Sequence, residues 1–404
     1  MTFKFSKLGP GLLFAGAAIG VSHLVQSTKA GADFGFGLIW AILIVNFFKY
    51  PFFQFGPRYA YATKTSLLEG YLKLHKSVLI AYFILTIATM FTIQTAVTSV
   101  TAGLATTLFG INLPYNIWSV IILFFCFTIL IRGKYKVLDQ LMKIIIITLS
   151  ITTLIAVITA LKSKSTSINL TQVWPKNSEQ VIFLIAFMGW MPAPLDISVW
   201  HSLWAIEKQK TSTNIKLKQS IFDFNIGYIT TIILGIAFVS IGALILFESG
   251  NAFSSKASVF ATQLINMYTE GIGNWAKLII GIAAFTTMFS TTITTLDASP
   301  RALAQTSKLL FSKTNTLGYK FWMSTLMLGT IIILLFFQAE MGLLIKIATI
   351  LSFLTAPFYA LINYLAITGN EVSEQYKPSK LMHIWSWAGF LFLIGFSVWY
   401  TMAL

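Results

Sequence analysis

The sequence predicts an all-α integral membrane protein, a bundle of apolar helices that uses the lipid bilayer as its solvent. Of its 404 residues, 56% are hydrophobic and only 10% are charged, whereas roughly a quarter of the residues in soluble domains are charged. The apolar residues form long runs, and about 20 apolar residues suffice for a helix to cross a bilayer. These runs lack the alternation of a transmembrane β-barrel. Lipid is therefore the expected partner of most of the surface.

Eleven apolar segments are long enough to be spans. In chain order they cover 8–31, 36–55, 78–106, 114–131, 137–161, 180–204, 219–247, 277–298, 318–338, 342–368 and 380–403. Lys and Arg concentrate in the connections that lie on the same side of the membrane as the N-terminus. The positive-inside rule assigns that side to the cytoplasm. The C-terminus is then extracytoplasmic. We expect a single transporter domain over 1–404, with many passes through a bacterial inner membrane.

Two of the spans carry residues that interrupt a helix near the middle of the membrane. In the first span, Gly20 is followed by Ser22 and His23. In the sixth, Pro192 and Pro194 each remove a helical donor and clash with the preceding turn. Irregular backbone at membrane depth is tolerated only inside the protein or along a water-filled cavity. Broken spans at corresponding places in two halves predict a secondary transporter built from inverted repeats.

The two repeats are expected to cover about 8–161 and about 180–368, with five spans each, and span 380–403 is an addition. Half-helix ends at the breaks would present dipoles and free carbonyl groups to a substrate near the midplane. For either break taken alone, the alternative to a substrate site is an ordinary Pro or Gly kink, which membrane helices tolerate.

Ionisable residues near the breaks are the candidate site residues. Asp196 stands beside the second break, where a carboxylate is costly and indicates a cation ligand or a proton acceptor. The alternative is an N-cap for the helix that restarts at Ile197. His23 is either a substrate or proton group or a hydrogen-bonded bridge between helices. His201 is a candidate proton carrier, or a simple hydrogen-bonding group.

Other polar residues in the spans have structural interpretations. We expect Lys49 to extend its ammonium group to the membrane surface. Asp297 and Arg301 have the i,i+4 spacing of an ion pair on one helix. The many hydroxyl side chains of the eighth span, Thr291 among them, either join helices or line a hydrophilic path.

Several classes of function are excluded. The formal charge of +15 is spread over short loops rather than gathered on one face, which argues against a nucleic-acid partner. A lone cysteine, Cys126, excludes a disulfide framework and a Cys-based zinc site. The sequence has no phosphate-binding GxxxxGK[ST] loop and no HExxH or GxSxG motif, so neither an ATP-driven pump nor an enzyme is expected. We expect no resident cofactor.

Four short motifs resemble those of the Nramp (natural resistance-associated macrophage protein) family of divalent-metal transporters. GPG at 9–11 and AGADFGF at 30–36 are similar to the opening of that family, at the same spacing. WHS at 200–202 and LTAPF at 354–358 are similar to its LHS and LQLPF motifs. The resemblance implies a LeuT-like fold and proton-linked uptake into the cell.

The metal-site motifs of that family are altered in this chain. Its DPGN motif falls on residues 20–23, here Gly-Val-Ser-His, and its Met-Pro-His motif falls on 194–196, here Pro-Leu-Asp. A one-gap alternative places Met-Pro-Ala at 191–193 on the second motif. By position, the implied substrate-binding residues are Gly20, Ser22, His23, Pro194, Asp196 and Thr355. Asp196 and His23 are the candidate metal ligands, and together with His201 they form the candidate proton pathway.

The expected function is proton-coupled import of a divalent cation with altered selectivity. Thioether ligands favour softer transition metals, whereas oxygen ligands favour hard ions such as Mg²⁺, which keeps several of its waters. A small anion or organic solute is the alternative cargo, because helix N-termini, His23 and Lys29 favour negative charge. A sensor that binds without transport and a channel are further alternatives.

Overall fold

The computed structural model describes residues 8–111, 113–163, 168–211, 216–247, 257–311, 317–336 and 341–403, and regular secondary structure in these ranges is helical throughout. The helices are α1 Pro10–Ala18, α2 Thr28–Phe34, α3 Ile39–Thr63, α4 Leu67–Leu74, α5 Lys76–Phe109, α6 Tyr115–Ser163, α7 Ser178–Gly189, α8 Ile197–Thr211, α9 Leu217–Ile245, α10 Ala257–Ile272, α11 Ala276–Leu310, α12 Tyr319–Phe336, α13 Met341–Thr368 and α14 Lys380–Ala403. A π-helical turn, Ser22–Ser27, precedes α2.

Many of these helices match the predicted spans in position. Within the described ranges, nine helical segments are long and apolar enough to cross a membrane, and the bent pair Pro10–Ala18 and Ser22–Phe34 makes a tenth. The fourth and fifth predicted spans both lie in α6, as Tyr115–Arg132 and Val137–Lys162, and helical structure continues between them where the sequence predicts a loop. Large apolar side chains stay exposed along the helices, for example Phe124 and Ile144, as lipid-facing surfaces require.

Both spans with helix-breaking residues are interrupted. α1 ends at Ala18 and the chain bends by 50° before the next helix, so residues 19 and 20 form the first break. Residues 190–196 between α7 and α8 are non-helical and form the second break. α7 has only 12 residues, too few to cross a bilayer alone. Prolines and glycines thus break the backbone where the sequence predicts.

α9 packs directly on both halves of the first span. The Asp223 carboxylate accepts hydrogen bonds from the backbone amides of Gly9 and Gly11, at 3.0 and 2.7 Å, and so caps the start of α1. A Cβ placed on Gly227 would lie 2.0 Å from the carbonyl oxygen of Gly11. At the other end, a Cβ on Gly242 would lie 2.2 Å from the carbonyl oxygen of Thr28. Glycine therefore lets these backbones touch, as small residues do between membrane helices.

Gly227→Ala is expected to destabilise the protein by about 1–3 kcal/mol, because the added methyl group forces two backbones apart. Its melting temperature in detergent should fall accordingly. Gly395→Ala is the matched control, since nothing lies within 4 Å of a Cβ at Gly395 in α14. Alanine favours a helix over glycine by up to about 1 kcal/mol, so this control should be neutral or stabilising. Equal melting temperatures for the two variants would contradict the described packing of α9 on α1.

Candidate functional site

A small cavity of about 30 Å³ lies where the two breaks meet. The first span contributes Gly20 and Ser22, and the second break contributes Trp190 and Pro194. The remaining lining residues come from the neighbouring helices and include Ile93 and Val97 of α5, Trp200 of α8, and Thr291 and Thr295 of α11. A cavity of this size holds about one or two water molecules. In this conformation the breaks therefore enclose little free space.

Hydroxyl groups of α11 bond to the carbonyl oxygens that the first break frees. Thr291 Oγ1 lies 3.1 Å from the carbonyl oxygen of Ile19 and 3.3 Å from that of Gly16. Ser290 Oγ lies 3.1 Å from the Gly16 carbonyl oxygen and 2.7 Å from that of Thr287 in its own helix. These bonds satisfy backbone groups that lipid could not. The sequence allows two roles for this hydroxyl-rich helix, joining helices or lining a hydrophilic path. Ser290 joins helices. Thr291 joins helices and also lines the cavity.

His23 lies beside the cavity and is fully buried. Its Nε2 is 3.0 Å from the carbonyl oxygen of Thr231 in α9, and its Nδ1 is 2.8 Å from Ser22 Oγ. Ser22 Oγ is in turn 3.0 Å from the carbonyl oxygen of Ala18. Because a hydroxyl has one hydrogen, all three bonds form together only when both ring nitrogens of His23 donate. The arrangement can therefore hold a proton at Nδ1.

Lys49 does not reach the membrane surface, and that sequence-based expectation is wrong. The side chain is fully buried, and its Nζ points into the second break. The carbonyl oxygens of Met188, Gly189, Met191 and Ala193 lie 2.9, 2.8, 3.1 and 3.4 Å from Nζ. Carbonyl groups freed at a helix C-terminus carry partial negative charge, so they hold the ammonium group inside the protein.

Asp196 is buried at the start of α8 but does not line the cavity. Its Oδ1 has no hydrogen-bond partner within the described part of the chain. The phenol groups of Tyr71, Tyr82 and Tyr359 lie near enough to interact with its charge. The sequence does not single out these three residues, because tyrosine in a membrane protein is most typical of the interface. A buried carboxylate with an unpartnered oxygen can hold a proton or a cation.

The remaining candidate residues lie apart from the cavity lining. His201 stacks on Phe14 at 5.6 Å between ring centroids, and its Nδ1 lacks a hydrogen-bond partner among the described residues. The hydroxyl of Thr355 donates within α13 to the carbonyl of Leu351, over 2.9 Å. The structure thus brings Gly20, Ser22 and Pro194 together at the cavity. Across the described residues, no three His, Cys, Asp or Glu side chains are grouped closely enough to hold a metal ion.

A larger cavity of about 430 Å³ lies between α4, α8 and α11, and Arg301 lies in its lining. Arg301 forms a bidentate pair with Asp297, at 3.1 and 2.6 Å, which confirms the predicted i,i+4 pair. Trp204 Nε1 and the hydroxyl of Tyr319 also donate to Asp297, over 3.1 and 2.8 Å. This buried carboxylate therefore ties together α8, α11 and α12.

Comparison with protein families gives one match over nearly the whole chain. A family model described as natural resistance-associated macrophage protein-like (Nramp) matches residues 11–403. The chain is also 35% identical, over 402 residues, to "uncharacterized protein PM0681" of Pasteurella multocida strain Pm70. That alignment covers 98% of this chain and 92% of the relative.

Three solved structures with a similar fold are distant in sequence. The manganese transporter of Eremococcus coleocola, in complex with an aromatic bis-isothiourea compound, is 15% identical with a TM-score of 0.73, over 96% of this chain and 84% of that one. MhsT in complex with L-phenylalanine is 14% identical with a TM-score of 0.69, over 98% of each chain. Mhp1, a nucleobase-cation-symport-1 family transporter, is 14% identical with a TM-score of 0.63, over 98% of this chain and 93% of that one. These likenesses establish the LeuT-like helical fold.

Proposed function

The chain belongs to the Nramp family of membrane transporters, and from that premise we propose that it is a secondary transporter whose cargo binds between the two broken spans. The observation that carries this proposal is the cavity at which Gly20, Ser22 and Pro194 meet. Broken helices in corresponding halves provide backbone groups for a substrate, and rocking of one half against the other exposes it to each side in turn.

A divalent cation is the proposed cargo. The Eremococcus coleocola neighbour is a manganese transporter, and membership in the family supports a metal ion here. The polar lining of the cavity offers hydroxyl oxygens, from Ser22, Thr291 and Thr295. Oxygen ligands suit hard, partly hydrated ions such as Mg²⁺, and we propose Mg²⁺ rather than Mn²⁺ or Fe²⁺ as the cargo. Asp196 and His23 lie outside the cavity lining in this conformation, and they are the proposed side-chain ligands, His23 in its neutral form.

Proton coupling is proposed through Asp196, His201 and His23. The contacts of His23 with Ser22 and Thr231 support this role, because the full set of hydrogen bonds needs both ring protons. The unpartnered Asp196 Oδ1 and His201 Nδ1, within the described residues, are further positions that can exchange a proton.

A small organic solute or anion is the second candidate cargo. Lys49 places a positive charge in the second break, and the carboxylate of Asp196 lies outside the cavity lining. A fixed positive charge near the site raises the electrostatic cost of a cation and lowers that of an anion. The similar fold of MhsT, solved with L-phenylalanine, is compatible with an organic cargo.

The proposed location is a bacterial inner membrane, with a cytoplasmic N-terminus and an extracytoplasmic C-terminus. The lining of the larger cavity includes Lys64, Lys210 and Lys308. All three lie beyond the ends of the predicted spans, in segments that the positive-inside rule assigns to the cytoplasm. With this orientation, the larger cavity is the cytoplasmic vestibule of the transport path.

Purified protein in liposomes is expected to take up Mg²⁺ or Mn²⁺ along an imposed proton gradient. Asp196→Asn keeps the shape of the side chain and removes its charge, and should reduce uptake at least about 10-fold, since a lost charged ligand costs more than about 1.4 kcal/mol. Asp33→Asn is the matched control, because Asp33 forms only an exposed pair with Lys29. Flux of an organic solute that needs no metal, together with no metal uptake, would favour the second candidate and exclude the first.

A further inference from the structure

The second break forms a ring of backbone oxygens around a single nitrogen. We call the carbonyl oxygens of Met188, Gly189, Met191 and Ala193 the carbonyl cage. All four lie within 3.4 Å of Lys49 Nζ, and three of them lie within 3.1 Å. The side chain enters from α3, a different helix, and is fully buried. The cage is thus filled by a remote part of the same chain.

The geometry of the cage requires a charged amine. An ammonium group has three N–H donors and no acceptor, so every oxygen around it can be attractive. A neutral amine has two donors and a lone pair, which would face one of these oxygens. Charge-assisted bonds are also about twice as strong as neutral ones. The ring of Phe353, 6.0 Å from Nζ, is a further favourable contact for a cation.

The cage and the cavity lie on different sides of the second break. The carbonyl groups of Met188, Gly189, Met191 and Ala193 point to Lys49 of α3. Trp190 and Pro194 of the same break line the cavity with the first break. Cargo in the cavity therefore does not meet the cage oxygens, which already have a partner.

We propose that the carbonyl cage is a monovalent-cation site whose permanent occupant is the Lys49 ammonium group. The unwound backbone is held open by this tethered cation, so it needs no bound Na⁺ or metal ion to keep its form. Removal of the side chain leaves an empty site that takes a primary alkylammonium ion. The proposal rests on backbone contacts alone and holds for either candidate cargo.

The test is chemical rescue of Lys49→Ala in detergent. This variant lacks the atoms of n-propylammonium, so that ion is the probe. The melting temperature of Lys49→Ala should be about 10 °C below that of the wild type, because the buried carbonyl groups of the cage lose their hydrogen-bond donor. Added n-propylammonium chloride should restore most of the loss in a saturable way, as a ligand specific for the folded state does. The wild type should not respond, because its cage is full.

Controls separate the cage from general salt effects. Tetramethylammonium chloride has the same charge but no N–H donor, and should restore nothing. Lys49→Met fills the space without a charge, and should be destabilised without rescue by n-propylammonium. Lys143→Ala removes an ammonium group that pairs with Asp139 over 2.8 Å, and should show no preference for n-propylammonium over tetramethylammonium. Unchanged stability of Lys49→Ala, or equal rescue by both ions, would overturn the proposal.

A measurement on the wild type covers the case in which Lys49→Ala does not fold. Brief acetylation of the purified protein, followed by mass spectrometry, reports the accessibility of each amine. Lys49 should react at least about 10-fold more slowly than Lys29, whose side chain is 39% exposed. Equal reaction of the two lysines would mean that the ammonium group lies outside the cage, and would overturn the proposal without any variant.

Discussion

Replacement of Asp297 by alanine is expected to destabilise the protein by about 3–5 kcal/mol, the usual cost of removing one partner from a buried ion pair. The Asp297 side chain is 1% exposed and that of Arg301 is 21% exposed, so the guanidinium group would lose its counter-charge where little water can replace it. Trp204 and Tyr319 would each lose their acceptor as well. The melting temperature in detergent should fall by about 10 °C.

Glu374→Ala is the control for this prediction, because it also breaks an ion pair. Glu374 pairs with Lys377, but its side chain is 86% exposed. Exposed pairs contribute at most about 1 kcal/mol, so its melting temperature should hardly change. A similar small effect for Asp297→Ala would mean that α8, α11 and α12 are held together without this carboxylate.

Gly20→Ala is expected to reduce transport at least about 10-fold, because the added methyl group enters the lining of the proposed cargo site. A Cβ on Gly20 would lie 2.3 Å from Thr291 Oγ1 and 2.9 Å from Thr291 Cβ. Either the first break or α11 must then move, at a cost of about 1–3 kcal/mol. Initial uptake rates in liposomes, for whichever cargo the wild type carries, measure the effect.

Gly235→Ala is the matched control, on α9 beside the same breaks. A Cβ there would meet Met191 Sδ at 3.4 Å and His23 Cδ2 at 3.7 Å, which are ordinary van der Waals contacts. This variant should therefore keep most of its transport rate. If Gly20→Ala transported as fast as Gly235→Ala, the cargo would not pass between Gly20 and Thr291.

The backbone breaks could be predicted from the sequence because their causes are local. Pro192 and Pro194 disrupt a helix in any surroundings, and α7 indeed ends at Gly189. The Asp297–Arg301 pair could be predicted for the same reason, since helical spacing alone brings the two side chains together. Both features follow from residues a few positions apart.

The partners of the breaks could not be predicted, because they come from distant parts of the chain. Lys49 has an ordinary place in an apolar span, and nothing near it in the sequence indicates that its target lies 139 residues later, at Met188. Tyr71, Tyr82 and Tyr359 belong to three different helices, and the ring of Tyr82 contacts those of Tyr71 and Tyr359, at 5.9 and 6.2 Å between centroids. Helix packing, which sequence periodicity does not encode, decides these contacts.

The two neighbours of the first span differ in how readily they can let it move. Along α9, main chains touch at Gly227 and Gly242, so sideways sliding would force them to separate. Towards α11, the hydrogen bonds come from the rotatable hydroxyl groups of Ser290 and Thr291, whose acceptors are the carbonyl oxygens of Gly16 and Ile19. Such side-chain bonds can change partners by rotation about one bond, which two main chains in direct contact cannot do. The first span and α9 are therefore suited to move together as one rigid body relative to α11.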